Sequence, residues 1–134
     1  MIKLDLGYIV LPVRGDQLSE IQRWYETQLD LYNVSSDDDA VLMAGANGFA
    51  VEFRKGRPVG NPERVVLAYF TDEADAMFEE IRRRGFKGKP ESAFGARVLR
   101  LKDPAGHTVE IYERGSISTP QDLRDARRVT SEDH

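Results

Sequence analysis

The sequence has no cysteine among its 134 residues and only two histidines, His107 and His134. The absence of cysteine excludes disulfide bonds, catalytic thiolates and zinc sites built on cysteine. The scarcity of histidine limits the imidazole ligands on which a metal site could draw.

The chain also lacks any apolar run long enough to span a bilayer, and its first residues show no signal-peptide pattern. We therefore expect a cytoplasmic protein without a membrane partner. The net charge of −4 argues against nucleic acid as a partner, because nucleic-acid-binding proteins usually present clustered Lys and Arg. The basic cluster at residues 82–84 falls at the end of a predicted helix, where cations suit the helix dipole, so we interpret it as structural.

The composition is that of an ordinary globular domain, with 40% hydrophobic and 31% charged residues, and the sequence repeats itself within it. The stretch GFAVEFRKG at residues 48–56 matches GHTVEIYER at residues 106–114, since both read Gly-x-x-Val-Glu followed by a large apolar residue. The same offset places the strand-like run LGYIVLPV, residues 6–13, opposite RVVLAYFT, residues 64–71.

Each half reads as a strand, a helix and three further strands. The helices are predicted from apolar residues at helical spacing, with Asp16 and Asp72 as N-caps and Gly85 as the end of the second helix. The apolar positions are Leu18, Ile21, Tyr25 and Leu29 in the first helix, and Ala74, Met77, Phe78 and Ile81 in the second. The later strands are expected near residues 33–35, 41–44 and 49–54, and near residues 86–89, 96–101 and 108–113.

These elements predict an α+β fold made of two tandem βαβββ modules, at about residues 1–56 and 62–115. We expect the modules to form one domain, residues 1–115, in which a curved mixed sheet makes a cup and the helices cover its convex side. Pro and Gly break the linker RPVGNPE between the modules. Residues 116–134 predict a short, charged C-terminal helix that is capped by Thr119.

Strand alternation decides which side chains face the cup. Val51 and Phe53 fall on a uniformly apolar face, which is expected to lie under the helix. Glu52 and its repeat counterpart Glu110 fall on the other, mixed face, which therefore lines the cup. The predicted ligand-binding residues on that face are Tyr8, Glu52, Arg54, Arg64, Val66, Phe70, Glu110 and Tyr112, with Val10, Ala50, Ala68 and Thr108 beside them.

The motif DPAGHTVEIYE at residues 103–113, the paired modules and the helix entry QRWYETQLDL at residues 22–31 resemble the vicinal oxygen chelate superfamily. FGAR, residues 94–97, ahead of DPAG is similar to a common variant in that group. The superfamily holds glyoxalase I, extradiol dioxygenases, fosfomycin resistance enzymes and bleomycin-binding proteins. The resemblance covers about residues 3–114.

The resemblance implies a divalent metal in the cup, bound by one residue from each of four strands, commonly His or Gln on the first strand of a module and Glu on the last. Carried onto this sequence, the four positions are Tyr8, Glu52, Val66 and Glu110. The two glutamates match, but valine cannot bind a metal and a neutral phenol is a poor ligand. We therefore expect no metal cofactor. The alternative is a divalent metal such as Mg²⁺, held by the two glutamates and water.

Several of these side chains have a structural interpretation beside the functional one. The two glutamates can pair with Arg54 or Arg64 in a solvated network without catalytic duty. Tyr8 can donate a hydrogen bond to a ligand, act as an acid, or form an aromatic wall.

Other residues near the motifs are interpreted more plainly. His107 has the parity of the apolar face, so we interpret it as a turn or packing residue rather than a metal ligand. Tyr25 lies on the core-facing stripe of the first helix and is assigned to packing. Arg97 can bind an anionic group or remain an exposed strand arginine.

Three functions fit these residues. The first is binding of a small organic molecule without a metal, with basic drug-like compounds among the candidates. The second is a lyase, isomerase or dioxygenase of the same superfamily, using an altered metal site at Glu52 and Glu110 or metal-free acid–base chemistry that includes Tyr8. The third is an assembly module with a vestigial cup.

The missing histidines favour binding over catalysis, and the retained glutamates favour binding over a vestigial cup. We therefore predict a protein that binds a small-molecule ligand, and we assign no catalytic residue. Relatives with short chains are usually two-fold dimers, so a homodimer is expected.

Overall fold

The structure is a computed structural model that describes residues 1–4, 7–46, 49–93 and 95–114. Within them the chain has the predicted α+β architecture, with two successive βαβββ modules. The first module consists of β1 (Ile9–Val13), α1 (Leu18–Leu29), β2 (Tyr32–Ser36), β3 (Ala40–Ala44) and β4 (Ala50–Lys55). The second consists of β5 (Val66–Thr71), α2 (Ala74–Arg83), β6 (Glu91–Ala93), β7 (Ala96–Lys102) and β8 (Thr108–Glu113). Short 3₁₀ turns precede α1 and β5, at Gly15–Gln17 and Pro62–Arg64.

The chain divides into two compact units. Among the described residues, the first unit comprises residues 1–65 and the loop at residues 102–108, and the second comprises residues 66–101 and 109–114. Burying a large apolar side chain contributes about 1.5–3 kcal/mol to hydrophobic stabilisation, so each unit is held by its own set of such residues. These include Ile21, Tyr25, Met43, Val51 and Phe53 in the first unit, and Phe78, Ile81, Val98, Leu99 and Val109 in the second. The domain limits expected from the sequence stay a prediction.

The sheet of the first unit has the strand order β1-β4-β3-β2, with β1 parallel to β4 and the other neighbours antiparallel. Because β4 is an inner strand, Glu52 lies between Val10 on β1 and Leu42 on β3. The helix α1 packs on the opposite face, where the rings of Tyr25 and Phe53 lie 5.0 Å apart and both side chains are buried. The apolar face therefore lies under the helix, as predicted.

The sheet of the second unit has the strand order β5-β8-β7-β6, so β8 is the inner strand that carries Glu110. Val109 and Ile111 are buried and Glu110 between them is partly exposed, as the predicted alternation requires. Met77 was predicted on the apolar face of α2 but is largely exposed. The buried residues of that helix are Ala74, Phe78 and Ile81.

The starts of both helices differ from the prediction. Asp16 lies inside a 3₁₀ turn, where its carboxylate accepts a hydrogen bond of 3.2 Å from Arg14 Nε, so it does not cap α1. Asp72 pairs with Arg114 at 2.6 Å, and α2 begins after Glu73 without a side-chain cap. In both places a guanidinium competes with the backbone N–H groups for the carboxylate oxygens.

The segment after α2 also differs from the prediction. Gly85 ends the helix with a left-handed φ of 111°, as expected, but the strand predicted at residues 86–89 is wrong, since β6 begins later. The ring of Phe86 lies against Gly88, where an added Cβ would come within 2.3 Å of the ring tip. Pro90 follows and has no N–H to give to a strand ladder. These features keep the chain out of the sheet until β6.

The DPAGH segment, residues 103–107, forms a tight loop before β8. The backbone N–H of Asp103 donates to the carbonyl of His107 at 3.0 Å, and Asp103 Oδ1 accepts hydrogen bonds from two backbone N–H groups of the loop. Gly106 takes a φ of 89°, a conformation that favours glycine. The loop thereby fixes how β7 leads into β8.

None of the helices in the described segments is long and apolar enough to cross a membrane. The predicted C-terminal helix at residues 116–134, with its cap Thr119, lies outside the described residues, and so do Gly48 and Phe94 of the sequence motifs.

Candidate functional site

The residues predicted for the ligand site lie in two groups, one in each unit. The Glu52 cluster of the first unit consists of Tyr8, Val10, Glu52 and Arg54. The Glu110 cluster of the second unit consists of Val66, Phe70, Arg100, Glu110 and Tyr112. Glu52 stands between the buried residues Val51 and Phe53, and Glu110 stands between the buried Val109 and Ile111, which places both glutamates on the face away from the core. The alternation does not extend to Tyr8, which precedes β1 and is followed by the exposed Ile9.

Glu52 is the buried acidic residue of its cluster. Its side chain is only 11% exposed, because it stands on an inner strand between Val10 and Leu42. A carboxylate in such surroundings needs a counter-charge, and Arg54 provides it from two residues further along the same face, with Nε 2.5 Å from Oε2. The hydrogen bond and the charge of Glu52 raise the pKa of the Arg54 guanidinium above its ordinary value. Arg54 itself extends into solvent.

Glu110 occupies the equivalent position in the second unit and has more partners. Its side chain is 14% exposed and accepts a hydrogen bond of 2.7 Å from Arg100 Nε on the neighbouring strand. The hydroxyl of Tyr112 donates to its other oxygen at 3.1 Å. Arg100 also forms an ion pair with Glu91 through Nη1, so this guanidinium is held between two carboxylates.

Both partners of Glu110 have raised pKa values. Burial is the main cause for the Tyr112 phenol, and its hydrogen bond to Glu110 acts in the same direction. For Arg100 the main cause is the hydrogen bond that it donates to Glu110. The tyrosine therefore stays protonated, and the arginine charged, throughout the neutral range.

An exposed aromatic residue flanks the Glu110 cluster. The ring of Phe70 lies 6.0 Å from that of Tyr112, and the Arg114 guanidinium stands 5.7 Å from the Phe70 ring centroid. Arg114 is in turn paired with Asp72 at 2.6 Å. Phe70 is thus held between a phenol ring and a fixed cation, although its own side chain reaches solvent.

The partner of Glu110 was missed by the sequence analysis, which considered Arg54 and Arg64 instead. Arg64 lies in the 3₁₀ turn before β5 and forms no ion pair among the described residues. The register of the hairpin could have identified Arg100. A hydrogen bond between Asp103 and His107 closes the loop. Arg100 lies three positions before Asp103 and Glu110 lies three positions after His107, so the two residues are opposite each other on neighbouring strands.

His107 is buried and takes part in packing, as the sequence interpretation held. Its Nδ1 lies 2.8 Å from Asp103 Oδ2, and the Tyr25 hydroxyl donates to the same oxygen at 2.7 Å. The imidazole also stacks on the Phe53 ring, with centroids 6.1 Å apart. This network ties the helix α1 to the loop before β8, and all four of its side chains are buried.

Arg97 is also occupied within the chain. It donates to Glu113 at 2.6 Å and to Asp75 at 2.6 Å, and its guanidinium stands 5.7 Å from the Phe78 ring centroid. These contacts raise the pKa of Arg97 and lower that of Glu113. Arg97 therefore connects the strand β7 to the helix α2 and is satisfied without an anionic ligand.

The divalent metal that the family resemblance implies does not fit the residues present. In the part of the chain that the structure describes, no three His, Asp or Glu side chains come together as a metal site requires. Two of the four implied ligand positions are Tyr8 and Val66. The other two are the glutamates, whose oxygens are engaged by Arg54 and by the partners of Glu110.

Several solved structures are similar to this chain along nearly their whole length. A glyoxalase family protein from Bacillus anthracis is 12% identical with a TM-score of 0.69, and the match covers 86% of this chain and 100% of that one. A bleomycin-binding protein in complex with bleomycin is 18% identical with a TM-score of 0.64, covering 84% and 100%. TnmS3, an antibiotic binding protein from Streptomyces sp. CB03234, is 14% identical with a TM-score of 0.67, covering 84% and 100%.

No protein-family model and no curated protein matches the sequence. At identities this low the structural similarity establishes the fold alone.

Proposed function

From the premise that this chain has the fold of the vicinal oxygen chelate superfamily, we propose that it binds a small organic molecule without the divalent metal common in that superfamily. The candidate ligand-binding residues are those of the Glu52 cluster and those of the Glu110 cluster. We further propose that the protein is cytoplasmic and forms a homodimer.

The observation that carries this proposal is the exposure of large apolar side chains beside fixed polar groups. Four such residues are between 37% and 49% exposed: Tyr8, Val10, Val66 and Phe70. A sheet face that is not meant to meet a ligand or partner is usually polar, and a mainly apolar lining with a few oriented polar groups is typical of small-molecule sites. The polar groups here are Glu52 and Glu110, each held in place by an arginine.

The same ion pairs argue against a metal. A divalent ion bound to Glu52 and Glu110 would have to displace Arg54 and Arg100, and each displaced guanidinium would remain a nearby positive charge. The alternative function, a lyase, isomerase or dioxygenase with an altered metal site at these glutamates, is therefore the weaker proposal.

The ion pairs also bear on the chemistry of the ligand. Basic drug-like compounds were among the ligands expected from the sequence. Since both carboxylates already have a guanidinium partner, a basic group would compete with Arg54 or Arg100 for them. We therefore propose a ligand held mainly by apolar and aromatic contact. Two of the similar structures are described as binding bleomycin and an antibiotic, which supports a small organic ligand as the class.

Native mass spectrometry with elemental analysis of freshly purified protein tests the absence of a metal. We expect no stoichiometric divalent metal, and a co-purified organic adduct would support the proposal directly. A stoichiometric metal that is lost in Glu110→Gln but kept in Glu113→Gln would overturn it. Glu113 is a suitable control because it lies on the same strand but pairs with Arg97 instead.

A thermal-shift screen with bleomycin and a library of antibiotics tests the site itself. Compounds that raise the melting temperature of the wild type should fail to do so in Val66→Lys, because the charge would disrupt the apolar face. The control is Val34→Lys, at a similarly exposed valine on β2. Equal shifts in the two variants would contradict the assigned site.

A further inference from the structure

A second surface feature lies at the C-terminal end of α2 and includes none of the residues of the glutamate clusters. Here the chain forms an open groove of about 460 Å³, which we call the basic groove. It is lined by Arg82, Gly85, Phe86, Lys87, Gly88 and Lys89. Its volume lies within the range of small-molecule sites, roughly 300–1,000 Å³.

The charges of the basic groove are all positive. Arg82, Lys87 and Lys89 line it, no acidic residue does, and none of the three forms an ion pair among the described residues. The neighbouring Arg83 and Arg84 differ, since both pair with Glu80 on the same helix. The groove therefore holds cations that no acidic side chain of the described residues neutralises.

The helix dipole explains only part of this arrangement. Arg82 stands in the last turn of α2, where a cation offsets the negative end of the dipole. Lys87 and Lys89 lie beyond the helix in a segment without regular structure, so the dipole gives no reason for their charge. Three like charges around one concave surface repel each other, and an anion bound between them would relieve that repulsion.

The groove also has a defined wall. Gly85 turns the chain out of the helix with a φ of 111°, and the Phe86 ring then lies against Gly88. A side chain at position 88 would meet the ring at 2.3 Å, so the close approach depends on glycine there. The aromatic ring supplies an apolar surface next to the three cations.

From these observations we infer that the basic groove binds a phosphate-bearing ligand, with Arg82, Lys87 and Lys89 meeting the phosphate oxygens and Phe86 packing against the remainder. A phosphate offers several strong acceptors to Lys and Arg donors. The small size of this groove and the net charge of −4 favour a small molecule or a lipid headgroup over a nucleic acid polymer.

Binding is measured by calorimetric titration of the full chain with inorganic triphosphate and with ATP, at low and high salt. We expect a dissociation constant below about 1 mM at low salt, weakening at high salt because exposed charges are screened. Lys87→Gln and Lys89→Gln should each weaken binding by about tenfold, as expected for the loss of a charge-assisted contact. Amide NMR spectra should show the largest shifts at the groove residues.

The matched control is Arg83→Gln, which removes one positive charge next to the groove from a side chain that already has an acidic partner. Binding in this variant should stay close to that of the wild type, and a loss equal to that of Lys87→Gln would overturn the inference. Gly88→Ala keeps every charge but displaces the Phe86 ring, so it should weaken ATP binding. Unchanged ATP binding in Gly88→Ala would show that diffuse charge, and not the groove, is responsible.

A lipid source of the phosphate is separated from a free one by sedimentation with vesicles. Phosphatidylcholine vesicles with added phosphatidylserine are compared with pure phosphatidylcholine vesicles, for the wild type and for Lys87→Gln/Lys89→Gln. Binding to the anionic vesicles that is lost in the double variant supports a lipid headgroup. Failure of triphosphate, ATP and the anionic vesicles alike would refute the inference, and it would leave the proposed function of the glutamate clusters untouched.

Discussion

Removal of one hydroxyl from the buried network around Asp103 should destabilise the first unit measurably. In Tyr25→Phe the ring keeps its place beside Phe53, but the hydrogen bond of 2.7 Å to Asp103 Oδ2 is lost. Hydrogen bonds to charged groups contribute about 1.5–3 kcal/mol, and water cannot easily replace this one because the Asp103 side chain is fully buried. We expect a loss of about 1.5–3 kcal/mol in the free energy of unfolding.

Urea denaturation followed by circular dichroism measures this loss, and a thermal melt should fall by about 3–5 °C for each kcal/mol in a domain of this size. Tyr32→Phe is the matched control, since Tyr32 is an exposed tyrosine and its hydroxyl should contribute less than about 0.5 kcal/mol. Asp103→Asn should cost more, about 3–5 kcal/mol, because it removes a buried charge from its partners. If Tyr25→Phe is no more destabilised than Tyr32→Phe, the network does not tie α1 to the loop as argued.

Three further predictions concern the second unit. Arg100→Leu leaves Glu110 with the Tyr112 hydroxyl as its remaining partner, and it should lower the free energy of unfolding in urea by about 1–3 kcal/mol; an unchanged value would mean that the pair is not formed. The folded state raises the pKa of Tyr112, so the associated stability is present below about pH 10 and is lost as the pH rises through the higher folded value. The free energy of unfolding, measured from neutral to alkaline pH, should therefore fall more steeply in the wild type than in Tyr112→Phe. Parallel curves for the two proteins would contradict this assignment. Gly85→Ala places a Cβ at a φ of 111° and should destabilise by about 1 kcal/mol in the same assay, whereas a neutral or stabilised variant would argue against the left-handed helix end.

The repeat and the strand alternation were sufficient to predict the fold. Once GFAVEFRKG and GHTVEIYER are aligned, every element of one half has a counterpart in the other, and two βαβββ modules follow. The alternation around Glu52 and Glu110 also assigned the buried and open faces correctly. In a strand the side-chain period is two, so the face of one residue fixes the faces of its neighbours. Hydrophobic pattern is a strong signal wherever one face of an element is buried.

The errors occur where the outcome depends on competition between local partners. Asp16 and Asp72 have the right residue type for capping, but Arg14 pairs with Asp16 and Arg114 pairs with Asp72. Neither arginine belongs to the apolar pattern from which the helices were predicted. The strand predicted at residues 86–89 failed because one glycine lets an aromatic ring lie over the backbone. Neither effect leaves a periodic signal in the sequence.

Of the two ion pairs, the pairing of Glu52 with Arg54 was anticipated from the sequence and that of Glu110 with Arg100 was not. Glu52 and Glu110 lie between buried neighbours as expected, whereas Tyr8 precedes β1 beside the equally exposed Ile9, and the partner of Glu110 comes from across the hairpin. That pairing requires the register of two strands, which is fixed by the loop at residues 103–107 and not by composition. The binding role of these residues stays a prediction until a ligand is measured.

The two repeats neutralise matching glutamates by different routes. In the first, the counter-ion comes from the same strand, where Arg54 occupies the position that Tyr112 holds in the second. In the second, it comes from the adjacent strand, where Arg100 occupies the position that Leu42 holds in the first. The two halves therefore differ at both of the positions that can supply a counter-ion. A symmetrised chain built from two first halves would carry a pair of solvent-facing guanidinium groups, whereas one built from two second halves would carry a pair of phenols in their place.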